Sequence, residues 1–315
     1  MTEATKTTID ETVGGRAPTE ATEGEPSAAS ADWALPAELV NRGADLDIRL
    51  IALDMDGTLL DASGSVPEGF WAVARRLIAH GATIAPASGR QYATLHDLFA
   101  PLREGLTIIA ENGALVMRDG VEVSSTTLDR DRVLRAVEIV RRLGEEGHDL
   151  GIVLGGKRAA HVERRDAGFV EAVGRYYHAL EQHDDLASVD DDIVKLAIFQ
   201  PGGVESGTVD AFEELRGELA VVVSSHDWID VMSSAANKGA ALRELARTIG
   251  ATREQTAAFG DYLNDLEMLD AAGISFAMAN AHTGILERAR FIAPSNADAG
   301  VVTVLEAIAD QLDGR

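Results

Sequence analysis

An open parallel α/β sheet interrupted by an α+β insert is the fold class this sequence predicts. Three observations predict it. Short apolar runs alternate with helical patterns towards both ends of the chain, as in crossover units whose strands are buried on both faces. The middle, residues 116–235, mixes hairpin signals with helices instead. The length, 315 residues, suits about two domains.

Residues 48–53 form the first apolar run and read as a strand. Residues 67–80 place Phe70, Val73, Leu77 and Ile78 at helical spacing, with Pro67 in the first turn and Gly81 at the end. A strand at 83–87, a helix at 92–99 and a strand at 106–110 follow. The alternation returns with a helix at 238–249, a strand at 256–259, a helix at 263–272, a strand at 274–278 and a helix at 297–312. Within the insert, 115–117 and 121–124 flank the turn Arg118-Asp119-Gly120, and 150–154 and 158–163 flank Gly155-Gly156. Strands at 194–199 and 220–224 and helices near 131–146, 166–181 and 205–216 complete it. Residues 1–32 are rich in Thr, Glu, Ala, Gly and Ser and read as a disordered tail. Residues 33–40 read as a short helix docking that tail. The expected domains are therefore a loosely docked tail at 1–45, a core at 46–115 and 236–315, and the insert at 116–235.

Composition removes several function classes. A net charge of −24 argues against nucleic-acid binding, which needs a basic face. The absence of cysteine excludes disulfides, thiolate metal sites and cysteine nucleophiles. No apolar run approaches the roughly 20 residues of a membrane helix, and no secretory pattern opens the sequence. The expected location is cytoplasmic, with no protein partner indicated. There are only four lysines, Lys6, Lys157, Lys195 and Lys238, so a motif that demands lysine has few chances.

Four segments carry chemistry. Asp54-Met55-Asp56-Gly57-Thr58-Leu59-Leu60 directly follows the first strand, where open parallel sheets bind ligands. Two carboxylates two residues apart suit one ionised nucleophile and one proton donor, and Gly57 permits a sharp backbone departure. Ala87-Ser88-Gly89-Arg90 ends the second strand and opens a helix, a place for phosphate oxygens. Asn237-Lys238-Gly239 opens another helix, where an ammonium is unfavourable unless an anion is near. Gly260-Asp261-Tyr262-Leu263-Asn264-Asp265 again follows a strand. Asp261 offers a hard oxygen suited to Mg²⁺, and Asn264 and Asp265 lie one helical turn further.

In this order, each at a strand end, the four segments resemble the motifs of the haloacid dehalogenase (HAD) superfamily, and most closely its Cof-type phosphatase branch (subclass IIB, large α/β cap). Glu111-Asn112-Gly113-Ala114, the stretch 277–281 and the late stretch 296–301 match as well. The resemblance covers about 46–315; Ala299 shifts the usual acidic pattern of its last stretch. It implies a Rossmann-like parallel-sheet core with an inserted α+β cap, and hydrolysis of small phosphomonoesters such as sugar phosphates. It implies Asp54 as the nucleophile that becomes an aspartyl-phosphate, and Asp56 as the acid and then base. Mg²⁺ would be held by the Asp54 carboxylate, the Asp56 backbone carbonyl and the Asp261 carboxylate. Phosphate would be held by Ser88, Lys238, Asn264 and the backbone N–H groups of Met55 and Gly89. Asp265 would orient metal waters or Lys238, with Thr58, Arg90 and Asn112 as further candidates near the phosphate or substrate. The implied partner is a small phosphorylated metabolite.

Two alternatives share the motifs: a phosphotransferase or mutase on the same fold, and a non-catalytic phospho-accepting regulator. Asp56 argues against the regulator, which needs no proton donor. The stretch 151–158 nearly spells a P-loop but places Arg158 where Ser or Thr must bind Mg²⁺. Asp190-Asp191-Asp192 reads as an acidic loop, and the eight histidines show no ligand spacing such as His-x-x-x-His. His161 is either substrate-facing or structural, and Tyr176-Tyr177 reads as packing within the insert.

Overall fold

The computed structural model describes residues 33–102, 105–217 and 219–314. The tail expected at 1–32 lies outside them. A first turn of helix, α1 (Ala37–Val40), precedes β1 (Leu50–Asp54), α2 (Glu68–Ala79), β2 (Thr83–Ala87), α3 (Tyr92–Leu98) and β3 (Thr107–Ala110). A hairpin follows, β4 (Leu115–Arg118) and β5 (Val121–Ser125). The next part holds α4 (Arg130–Glu145), β6 (Gly151–Gly156), β7 (Ala160–Val162), α5 (Ala167–Gly174) and β8 (Leu180–Gln182). It continues with β9 (Ile193–Phe199), α6 (Ser206–Asp210), β10 (Leu219–Ser225) and β11 (Trp228–Ser233). The chain closes with α7 (Lys238–Ile249), β12 (Thr256–Gly260), α8 (Leu266–Ala271), β13 (Ile274–Met278), α9 (Thr283–Leu286), β14 (Phe291–Ala293) and α10 (Gly300–Asp313).

Two sheets result. The first runs β14-β13-β12-β1-β2-β3-β4-β5, and the second β10-β11-β9-β6-β7-β8. In the first sheet β14 through β3 are parallel, and β4 and β5 add antiparallel strands at one edge. Strand order reverses at β1, which lies between β2 and β12. That is the switch point where such sheets bind ligands. Ile51 and Leu53 of β1 face one layer with Phe70, Leu77, Phe99 and Leu305. Leu50 and Ala52 face the other, with Leu242, Leu245 and Met268. A strand covered on both faces has to be apolar throughout, which explains the unbroken run.

Three expectations need correction. The hairpin β4–β5 pairs with β3 in the first sheet, so the insert does not begin at 116. A hairpin turn is readable locally, but the sheet it joins is decided by a partner elsewhere. The segment before residue 46 is not a loose tail throughout. Leu39, in the helix expected to dock it, is buried in the main core, and the Trp33 Nε1–H donates to the Ile292 carbonyl at 3.0 Å. The helix expected at 166–181 stops at Gly174, and Leu180–Gln182 forms β8 instead. Smaller differences follow the same logic. Residues 213–215 and 263–265 form single 3₁₀ turns, and the short strands β11 and β14 had no clear signal. Among the described residues no helix is long and apolar enough to cross a membrane.

Candidate active site

The carboxyl ends of β12, β1, β2 and β3 lie side by side, with Leu53 in register with Phe259 and Asp54 with Ala87. The motifs after β1, β2 and β12 therefore leave the sheet at the same edge, whereas Lys238 follows no strand of this sheet and comes from the start of α7. After Asp54 the chain makes a kinked turn through Met55–Leu59, with Gly57 at φ 79° and the Leu60 N–H donating to the Met55 carbonyl at 2.9 Å. Positive φ favours glycine there. A side chain would also fail on space, because a Cβ on Gly57 runs into the Asp261 carboxylate. The Asn280 amide donates to the Gly57 carbonyl at 2.8 Å and fixes this turn from β13's far end.

The structure brings Asp54, Asp261, Asp265, Lys238 and Thr58 together. Lys238 opens α7 and is buried, and its Nζ donates to Asp54 Oδ1 and, at 2.7 Å, to Asp265 Oδ1. Asp265 is fully buried, and its second oxygen accepts from the Asp261 and Tyr262 backbone N–H groups at 3.0 and 3.2 Å. Both its oxygens are thus committed to holding Lys238 and the Asp261 loop. The Thr58 hydroxyl donates to Asp261 Oδ1 at 3.0 Å. One ammonium among three carboxylates leaves an anionic excess. Burial first, and then the charges of Asp265 and Asp261, raise the Asp54 carboxyl well above its ordinary range, against the pull of Lys238. Burial and Asp265 push Asp261 up to about 6. Burial works against the Lys238 ammonium, but Asp54 and Asp265 outweigh it and raise its pKa. Carboxylate oxygens of Asp54, Asp261 and Asp265 approach within 4.8 Å of one another, an acidic group able to hold a metal ion. A divalent ion would supply the missing positive charge.

Asp56 is not part of this group. Its carboxylate is exposed and pairs with Arg90 through two bonds, Nη2 to Oδ1 at 2.6 Å and Nε to Oδ2 at 3.2 Å. Ser88 is buried beyond β2, with its hydroxyl accepting from the Arg90 N–H at 3.2 Å. Gly89 passes so close to the Asn112 side chain that a Cβ would meet it at 3.0 Å. The Asn264 amide reaches Asn112 Oδ1 at 3.4 Å, so Asn112 links the Gly89 loop to the segment after β12.

Two functional residues escaped the sequence reading in their roles. Lys195, on β9 of the second sheet, donates to the Gly89 carbonyl at 2.9 Å and pairs with Glu111 at 2.5 Å. Both side chains are buried. Burial raises the Glu111 carboxyl, partly offset by Lys195. The insert is therefore docked on the Ser88–Arg90 loop itself. Gln91 adds a reciprocal pair with the Ala179 backbone, at 2.9 and 3.1 Å. The available signal was Lys195 itself, one of four lysines and the sole charge in the apolar run 193–199. Lys195→Met is expected to lower folding stability by about 3 kcal/mol, because it leaves Glu111 buried without a partner. Urea unfolding should show it, and adding Glu111→Gln should restore most of the loss.

A family model for haloacid dehalogenase-like hydrolases matches residues 51–305. The chain belongs to that family. Its relatives are phosphatases of the Cof type. The chain is 31% identical over 266 residues to the 5-amino-6-(5-phospho-D-ribitylamino)uracil phosphatase YbjI of Escherichia coli K12, covering 84% of this chain and 97% of that protein. YcsE of Bacillus subtilis, a phosphatase of the same description, is 28% identical, with 83% and 96% covered. The solved structure of SMU.1108c from Streptococcus mutans UA159 superposes with a TM-score of 0.70 at 25% identity, covering 84% of this chain and all of that one. This HAD-family chain thus shares its architecture and most of its length with phosphatases, and the insert is the cap of the fold.

Proposed function

We propose that the protein hydrolyses small phosphomonoesters with Mg²⁺ through an aspartyl-phosphate on Asp54. The observation that carries this is the buried Asp54–Lys238–Asp265 chain with Asp261 beside it, at the switch point of the sheet. In the first step an Asp54 oxygen attacks phosphorus and the ester oxygen leaves, taking a proton from Asp56. In the second step Asp56 removes a proton from water, which attacks the phosphorus and releases Asp54. Lys238 neutralises part of the charge that builds up when a carboxylate meets a phosphate. Arg90 holds Asp56 as a bidentate partner, so the acid role requires that fork to turn to the incoming phosphate. The carboxylates of Asp54 and Asp261 and the Asp56 backbone carbonyl would hold Mg²⁺, which supplies charge neutralisation for phosphoryl transfer. Ser88, Asn264 and the N–H groups of Met55 and Gly89 would bind phosphate oxygens, with Thr58, Asp265 and Asn112 keeping the surrounding groups in place. The names of the relatives support a phosphorylated polyol or sugar as the substrate class.

The test is phosphate release from a panel of sugar phosphates, ribityl phosphates, nucleotides, flavin mononucleotide and pyridoxal phosphate, with Mg²⁺ and with chelator. Metal-dependent release from a subset of the panel is expected. Phosphate passed to a sugar with none set free would replace hydrolysis by transfer.

The raised Asp261 carboxyl also sets a pH dependence. A carboxyl must lose its proton to bind a divalent ion, so Mg²⁺ affinity should weaken as pH falls through about 6. Without metal the sign for stability is opposite. The folded protein keeps a proton that the unfolded chain gives up in the ordinary carboxylate range, so Asp261 lowers stability as pH rises through 6. Calorimetric Mg²⁺ titration and chelator-treated unfolding, each across that interval, check the two signs. Mg²⁺ affinity independent of pH there would remove Asp261 from the metal's ligands.

A further inference from the structure

On the edge of the cap sheet, β7 and β8 run parallel, with His161 in register with Glu181. Two residues on, His183 lies on the same face, since side chains alternate along a strand. His161 Nδ1 is 3.0 Å from His183 Nε2 and 3.5 Å from Glu181 Oε2, and those last two atoms are 3.6 Å apart. Ligand atoms about 2.0–2.2 Å from a common ion stand roughly 3.0–3.5 Å from one another, and this triangle matches that spacing. The other His161 nitrogen, Nε2, is 3.1 Å from Asp191 Oδ2. Asp191 is fixed in turn by the Arg158 N–H at 3.1 Å and the Ala159 N–H at 3.4 Å. A carboxylate on the far ring nitrogen fixes the tautomer and leaves Nδ1 bare towards Glu181 and His183, the support a metal-binding histidine usually has.

Gly156 makes room for this support, because a Cβ there runs into the Asp191 carboxylate. His161 and its Asp191 partner are buried, while His183 is a quarter exposed and Glu181 more than half, so an ion can reach the group from solvent. The group is distinct from the catalytic carboxylates. His161 pairs with Leu154, whereas Lys195 pairs with the next residue, Gly155, so the histidines face away from the surface that touches Gly89. Two imidazoles with one carboxylate favour a first-row transition ion over Mg²⁺ or Ca²⁺, which take oxygen ligands.

We propose that His161, Glu181 and His183 form a second metal site in the cap that takes a divalent transition ion of the zinc type. Bound there, the ion would pin the three-residue edge strand β8 to β7.

The experiment titrates chelator-treated full-length protein with Co²⁺ and follows its visible absorption, then displaces it with Zn²⁺. One equivalent of Zn²⁺-displaceable Co²⁺ is expected in the wild type and in Asp261→Asn, with the absorption lost in His183→Asn and weakened in Glu181→Gln. Zn²⁺ should also raise the melting temperature of the wild type and not of His183→Asn. His183 sits at a strand end, so its substitution spares the buried His161–Asp191 pair. Absence of absorption in the wild type, its survival in His183→Asn, or its loss in Asp261→Asn would overturn the proposal.

Discussion

Asp54→Asn is expected to lower turnover by on the order of 10⁴-fold or more while the protein stays folded. The amide lacks the anionic oxygen that attacks phosphorus. The fold should tolerate the change well. Asp54 is one of three buried carboxylates around a single ammonium, and its raised carboxyl marks ionisation there as unfavourable. The amide oxygen can still accept from Lys238, so the metal-free variant should melt no lower than the wild type. Steady-state phosphate release and a melting curve, measured together, check this. Undiminished turnover would remove Asp54 as nucleophile; lost activity with an unfolded protein would show that its structural role was underestimated.

Lys238→Met should have the second large effect, and this one reaches the fold. Lys238 is buried, and its ammonium is the shared partner of Asp54 and Asp265. Removing one partner of a buried pair costs about 3–5 kcal/mol, because the remaining charge has nowhere to go. In this site two carboxylates lose their partner, and Asp54, whose carboxyl is already raised, loses the one group that favours its charge. Turnover should disappear, and the stability that remains should fall further as pH rises. Lys238→Arg should not rescue activity, since the planar guanidinium cannot place one donor point between the two oxygens. Urea unfolding at several pH values, with and without Mg²⁺, tests the assignment. A variant as stable as the wild type at neutral pH would contradict it.

The parallel sheet and three of the four motifs were legible for a common reason. A strand buried on both faces shows itself as an apolar run, and a motif at its end needs no distant partner to be recognised. Asp54, Ser88 and Asp261 each sit within two residues of such a run. What was hidden depended on contacts between distant segments. The hairpin β4–β5 was readable as a hairpin but not as a member of the first sheet. Lys195 meets Gly89 across 106 residues. His161 and His183 are 22 residues apart, and only the pairing of β7 with β8 makes them neighbours. Sequence spacing tests ligands on one helix or one turn and says nothing of ligands from two strands. Asp56 was legible as a carboxylate near the site, but not its pairing with Arg90, which a local pattern does not encode.

The joint between Lys195, Glu111 and the Gly89 carbonyl has one more consequence. Attraction within a buried ion pair is largely offset by the hydration its members give up. Parting the two lobes returns both ions to water, so this contact adds little adhesion. A lobe seated out of register would instead strand a buried charge, at several kcal/mol. The contact therefore discriminates between correct and incorrect seating far more strongly than between seated and parted. It behaves as a gauge rather than a clasp: it adds little to the hold between the lobes but admits one alignment of the cap over the Ser88–Arg90 loop.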